Sequence, residues 1–234
     1  MIKGIIFDMD GLMIDTEKLL TRFWREAAEF YGYPMTEEHV LGIRSLSSKY
    51  AEPHLKGIFG EDFNYWDVRA KRIELMNAYI RSNGIEKKAG LDELLAYLKS
   101  TDLKIAVATA TDFQRTQMYL NSIGVFDFFD RIVCGDMIKN GKPEPDIYIT
   151  AAGELGLSCS ECIALEDSPN GIKSAYTAGC VPIMIPDLSA PDKETRRLIY
   201  TWCTDLSEVI GVVQRLTNEP MMSEESCTDT ERRI

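Results

Sequence analysis

Histidine is almost missing from this chain, which has two in 234 residues, His39 and His54. A Ser-His-Asp triad or a histidine-rich metal centre is therefore hard to assemble. Basic clusters are missing too: with a formal net charge of -11, the protein repels polyanions, so nucleic acid and anionic membrane surfaces are poor partners. A small anionic substrate stays compatible if the site itself is locally positive. No apolar run approaches the ~20 residues that a membrane helix needs. The chain opens directly on a strand-like MIKGIIFD with no signal-peptide pattern, so a cytoplasmic protein is expected. Six cysteines are too few and too irregular for a disulfide scaffold. The lone CSEC, Cys159 to Cys162, has no second pair to complete a zinc site.

What is present is an alternation of short apolar runs and amphipathic stretches, in a chain 45% hydrophobic and 27% charged. Residues 2–7 read as a strand, and 16–31 as a helix with Thr16 as a plausible N-cap. From there to Gly84 the periodicity is helical, and Trp66, Ile73, Met76, Tyr79 and Ile80 mark one side of a second long helix. Trp24 and Trp66 fall on helical faces and read as core of this region. After Gly84 comes helix 91–99, strand 103–109, helix 112–123, strand 131–134, helix 145–155, strand 162–166, helix 170–178 and strand 180–185. Strands alternating with helices predict a parallel sheet covered on both faces. The expected fold is α/β: a Rossmann-like core (1–15 and 85–217) interrupted after its first strand by a small all-helical cap (16–84). Residues 218–234 are polar and aperiodic and read as a disordered tail.

Ligands of open α/β sheets bind at the carboxyl ends of the strands. Those ends are charged or polar here: Asp8 and Asp10 after the first, Thr109 and Thr111 after 103–108, the loop to Lys142 after 131–134, and Glu166 and Asp167 after 162–165. Period-two alternation lets residues 8 and 10 face one volume while Met9 points away. Four carboxylates so close repel unless a cation compensates. Oxygen ligands with few histidines select Mg²⁺, with Asp8 and Asp167 as ligands. Pro143 holds Lys142 extended, and Pro145 suits the first turn of a helix. Thr109 and the following backbone N–H groups suit a phosphoryl oxygen, and Gly11 permits a tight turn after the carboxylates. In DSPNG, Asp167 or Ser168 can cap the helix begun by Pro169.

DMDG with Asp15-Thr16, the Thr109 strand end, GKPEPD and LEDSPNG resemble, in order and spacing, the four motifs of the haloacid dehalogenase superfamily, over residues 1 to about 190. The arrangement is similar to its β-phosphoglucomutase-like branch with a helical cap. The resemblance implies Asp8 as the nucleophile that becomes an aspartyl phosphate, and Asp10 as general acid and base. It implies Thr109 and Lys142 as holders of the phosphoryl group, and a Mg²⁺ site of Asp8, Asp10 (through its backbone carbonyl), Glu166 and Asp167. Thr16, Arg44, Ala110, Thr111 and Asn170 are the substrate-contact candidates.

The second aspartate favours phosphoryl transfer over carbon–halogen cleavage. The cap departs from the mutase pattern, with Lys18, Leu19 and Leu20 where a histidine is expected and Ser45 and Ile73 where basic residues are expected. Arg44, Lys71 and Arg72, close by, either solvate the cap or reach substrate. The resulting expectation is a Mg²⁺-dependent phosphatase of small phosphorylated metabolites, sugar phosphates first, acting as a monomer. A phosphosugar mutase is the runner-up. A phosphoaspartate receiver or a partner-binding pseudoenzyme is the rival of another class, and turnover of any phosphomonoester separates it from an enzyme.

Overall fold

The computed structural model describes residues 1–188 and 190–218. Apart from Asn218, which ends the last helix, the expected tail lies outside the described residues. Six strands form one parallel sheet: β1 (Gly4–Phe7), β2 (Lys104–Thr109), β3 (Arg131–Cys134), β4 (Cys162–Glu166), β5 (Val181–Met184) and β6 (Thr201–Trp202), in the order β3-β2-β1-β4-β5-β6. The order reverses at β1, and β1 and its neighbour β4 are enclosed along their whole length. Ile5, Ile6 and Phe7 have no exposed surface, worth roughly 1.5–3 kcal/mol for each fully buried side chain.

Alternation along β1 sorts its side chains into two cores. Ile5, Phe7 and Met9 join the larger cluster, with Leu94, Leu98, Leu120 and Val213, while Ile6 joins the smaller one, with Ala108, Tyr148, Ala151 and Ala164. The larger core is covered by α5 (Leu91–Lys99), α6 (Phe113–Ser122) and α10 (Val209–Asn218). The smaller one is covered by α7 (Asp146–Glu154) and α8 (Pro169–Ala178). A one-turn helix, α9 (Thr195–Leu198), precedes β6.

Between β1 and β2 lie four helices ahead of α5: α1 (Glu17–Phe30), α2 (Glu37–Leu41), α3 (Ser48–Phe59) and α4 (Tyr65–Asn83). They enclose a core of their own, including Trp24, Ala27, Leu55, Phe63 and Val68. Phe23, Met76 and Ile80 pack instead into the large core of the sheet, so the insertion is bound to the sheet by apolar contact.

Three expectations change. Met76 and Ile80 are buried as the periodicity predicts, but Trp66 is 52% exposed, and the first half of α4 buries Tyr65, Val68 and Arg72 in place of Trp66 and Ile73. Thr16 makes no capping hydrogen bond to α1, because its hydroxyl is engaged elsewhere. Beyond residue 185, where no element is predicted, the structure adds α9 of four residues, β6 of two and the ten-residue α10. Cys159 and Cys162 sit at the amino end of β4, remote from the carboxyl edge of the sheet. The five described cysteines are free thiols. No described helix is long and apolar enough to cross a membrane.

Candidate active site

Register places the acidic groups together. Phe7 pairs with Leu165, and the Asp8 amide donates to the Leu165 carbonyl at 3.0 Å, so Asp8 leaves β1 beside Glu166 at the end of β4. Asp8, Glu166 and Asp167 are all buried, with ligand oxygens within 4.8 Å of one another.

Lys142 comes to this cluster from the loop after β3. Its ammonium, 1% exposed, donates to Asp8 Oδ1 at 2.5 Å, Glu166 Oε1 at 2.6 Å and the Ala108 carbonyl at 3.1 Å. Its three protons therefore have three acceptors. Burial opposes its charge, but Asp8 and Glu166 outweigh burial and hold its pKa above the ordinary value. The Tyr148 hydroxyl also donates to Glu166 Oε1, at 2.6 Å. Ser168, not Asp167, caps α8, accepting from the Gly171 amide at 3.1 Å. Gly171 is required there, since a Cβ would stand 2.0 Å from the Glu166 carboxylate.

Asp10 lies on the same side as Asp8, but its carboxylate stands outside the three-carboxylate group. Thr16 donates to its Oδ1 and Thr111 to its Oδ2, each at 2.7 Å, so two hydroxyls from different loops fix its orientation. Thr109 is buried and accepts the Thr111 amide at 3.1 Å. Asp8, Asp10, Arg44, Thr109, Ala110, Thr111 and Lys142 line one cavity of about 380 Å³ between insertion and sheet, a size suited to a small metabolite. Asn170 is not among its lining residues. Its amide donates instead to the Arg44 carbonyl at 2.9 Å.

The cavity also collects Arg72, one of the basic candidates of the sequence, and residues that the sequence did not single out, among them Glu17, Arg69 and Arg115. Glu17, next to Thr16, is 5% exposed and 3.5 Å from Arg44. Burial pushes its carboxyl up to about 8, against the pull of Arg44. Arg69, Arg72 and Arg115 line the far wall. Arg69 and Arg72 stand over the rings of Trp66 and Trp24 at 5.7 and 5.2 Å. Burial, then Arg115 and Arg69, lowers Arg72 to about 9. Lys71 instead pairs with Glu74 at 3.0 Å. The position of Glu17 after the DT pair hinted at its place. Tyr148, Arg69 and Arg115 carried no such signal, because helical periodicity alone does not say which face meets a cavity.

The acidic cluster fits a hard divalent cation. Burial raises Asp8 and Asp167 well above the usual carboxylate range despite Lys142 and Arg44, so positive charge is in short supply. Asp167 Oδ1 is buried with no hydrogen-bond partner, and the donors are all carboxylate oxygen.

Residues 5–185 match the family of haloacid dehalogenase-like hydrolases. The chain belongs to that family. It is 32% identical over 177 residues to the phosphorylated carbohydrates phosphatase of Thermotoga maritima, covering 76% of this chain and 82% of that one. It is 28% identical over 185 residues to the β-phosphoglucomutase of Bacillus subtilis, covering 76% and 80%. Among solved structures, CbbY of Rhodobacter sphaeroides in complex with phosphate superposes with a TM-score of 0.75 at 26% identity, over 89% of this chain and 96% of that one. A parallel-sheet core with a helical insertion is thus the architecture of this hydrolase, as the motifs implied.

Proposed function

We propose that this hydrolase is a Mg²⁺-dependent phosphatase of small phosphorylated metabolites, sugar phosphates foremost, working through an aspartyl phosphate on Asp8. The observation that carries the reading is the pairing of a buried carboxylate, Asp8, with a fully bonded buried lysine, Lys142, beside an independently oriented second carboxylate, Asp10, on one cavity.

Asp8 attacks phosphorus, and the ester oxygen leaves with a proton from Asp10. Water then gives its proton to Asp10 and attacks the phosphorus of the aspartyl phosphate, returning free Asp8 and inorganic phosphate. Thr16 and Thr111 hold Asp10 in place for both transfers, since a hydroxyl can donate to the carboxylate and accept from the acid. Thr109 donates to a phosphoryl oxygen, with Ala110 and Thr111 at the same strand end, and Lys142, released from Asp8 as that carboxylate bonds phosphorus, turns to the phosphoryl group and offsets the charge spread over it. Asp8, Glu166 and Asp167 would hold Mg²⁺, which supplies further neutralisation of phosphoryl charge. Arg69, Arg72 and Arg115 on the far wall, with the Trp24 and Trp66 rings, suit a polar anionic substrate that the protein's overall charge would otherwise repel.

The test is phosphate release from a panel of sugar phosphates and nucleotides with Mg²⁺. It includes β-glucose 1-phosphate assayed for glucose 6-phosphate with and without a trace of glucose 1,6-bisphosphate. Free phosphate from one or more members supports the phosphatase. Bisphosphate-dependent isomerisation with little free phosphate replaces it with the mutase, and no turnover of any member overturns both.

A further inference from the structure

Arg44 brings a guanidinium from the insertion in among the acidic groups of the sheet edge. It follows α2, is 6% exposed, and its Nη2 donates to the carboxylate of Asp167 and, at 3.3 Å, to the Asp167 carbonyl. Asp167 is one of the three carboxylates gathered for a cation. A guanidinium thus stands on a carboxylate suited to a metal ion.

The fit of Arg44 is incomplete. Its Nε and Nη1 are buried with no hydrogen-bond partner, and Glu17, at 3.5 Å, makes an ion contact only. A guanidinium with two buried nitrogens unbonded has less to lose on leaving its carboxylate than one whose fork is fully satisfied. The neighbouring backbone is also held away from its preferred conformation: Ser45 has φ +57°, the left-handed region.

Arg44 begins the segment through which the insertion grips the sheet's loops. Its carbonyl accepts the Asn170 amide, and the Ser47 amide donates to the Lys142 carbonyl at 3.1 Å. Lys49 reaches Asn140 at 3.0 Å, and Tyr50 reaches Glu144 at 2.8 Å. The seam thus grips the loop that carries Lys142 and, through Asn170, the start of α8 just after Asp167.

We propose that Arg44 is a built-in competitor of the metal at Asp167, displaced when the metal binds, so that metal occupancy loosens the seam formed by residues 44–50. The proposal rests on the metal reading of the site and not on its phosphoryl chemistry. Linkage makes it reciprocal: whatever metal binding takes from the seam, the seam takes from metal affinity.

The experiment is Mg²⁺ titration calorimetry on the full chain and on Arg44→Met, with hydrogen–deuterium exchange on the wild type with and without Mg²⁺. Arg44→Met is expected to bind Mg²⁺ about tenfold or more tightly, within the usual range of such couplings. In the wild type, Mg²⁺ is expected to speed exchange in 44–50, where the Ser47 amide reads the seam directly. The exchange arm needs no variant, so it decides the matter even if Arg44→Met fails to fold. Tight Mg²⁺ binding with no gain in Arg44→Met, or slower exchange in 44–50 on adding Mg²⁺, overturns this proposal alone. No Mg²⁺ binding to either protein overturns it together with the metal reading.

Discussion

Asp8 and Lys142 show how one residue can be costly for the fold and needed by the site. Burying a carboxylate is unfavourable unless it is paired, and here one lysine serves two of them. Asp8→Asn keeps the shape and removes the carboxylate proposed as the nucleophile. Phosphate release should fall by about 10⁴-fold or more, while the thermal midpoint is maintained, since the substitution relieves carboxylate repulsion. A variant with measurable turnover near the wild-type rate would remove Asp8 from its role.

Glu17 makes a second prediction at this scale. Its folded pKa of about 8 lies above the ordinary 4.5. Between those values the folded state keeps a proton that the unfolded chain has released, so stability falls as pH rises through the window. Asp8 and Asp167, also raised, act in the same direction. The thermal midpoint of the metal-free protein should therefore fall from about pH 5 to pH 8, and Glu17→Gln should flatten the slope. Identical pH profiles for the two proteins would contradict the assignment.

At the scale of elements, the turn after β1 is as demanding as the strand. Gly11 has φ +82°, and a Cβ there would lie 2.1 Å from Asp167 Oδ2 and 2.7 Å from the Glu17 side chain. Gly32 has the same φ with nothing within 4 Å. Gly32→Ala should therefore cost only the left-handed backbone penalty, about 1–2 kcal/mol. Gly11→Ala should cost that and more, and should weaken Mg²⁺ binding because Asp167 must move. Chemical denaturation of both variants, with Mg²⁺ calorimetry on the second, separates backbone strain from collision. Equal losses with unchanged Mg²⁺ affinity would show that the turn tolerates a side chain.

At the scale of the whole molecule, insertion and sheet share one cavity and one apolar core, so cation binding at the sheet edge should register in global stability. Excess Mg²⁺ should raise the thermal midpoint, by about 2.7 kcal/mol of stabilisation at a hundredfold excess over its dissociation constant. The rise should be larger at pH 8 than at pH 5, because protonated carboxyls are poor ligands. A midpoint indifferent to Mg²⁺ at both pH values would remove the metal from the site.

Much of this was legible in the residues. The apolar runs at 4–7, 105–108 and 163–165 demanded buried parallel strands, and period-two alternation put Asp8 and Asp10 on one side with Met9 in the core, because both signals are local and repeat along the backbone. The ordered motifs led to the family, since each marks a strand end that the fold must bring to one edge. Only the tertiary structure decided the rest. It gave the Thr16 hydroxyl to Asp10 rather than to its own helix, turned Trp66 outward, drew Glu17 and Tyr148 into the site, and seated Arg44 on Asp167. Those choices depend on which side chain meets which loop in space: Thr16 and Asp10 are six positions apart, Tyr148 and Glu166 eighteen, and Arg44 and Asp167 more than a hundred, and none of these pairings leaves a trace in local periodicity.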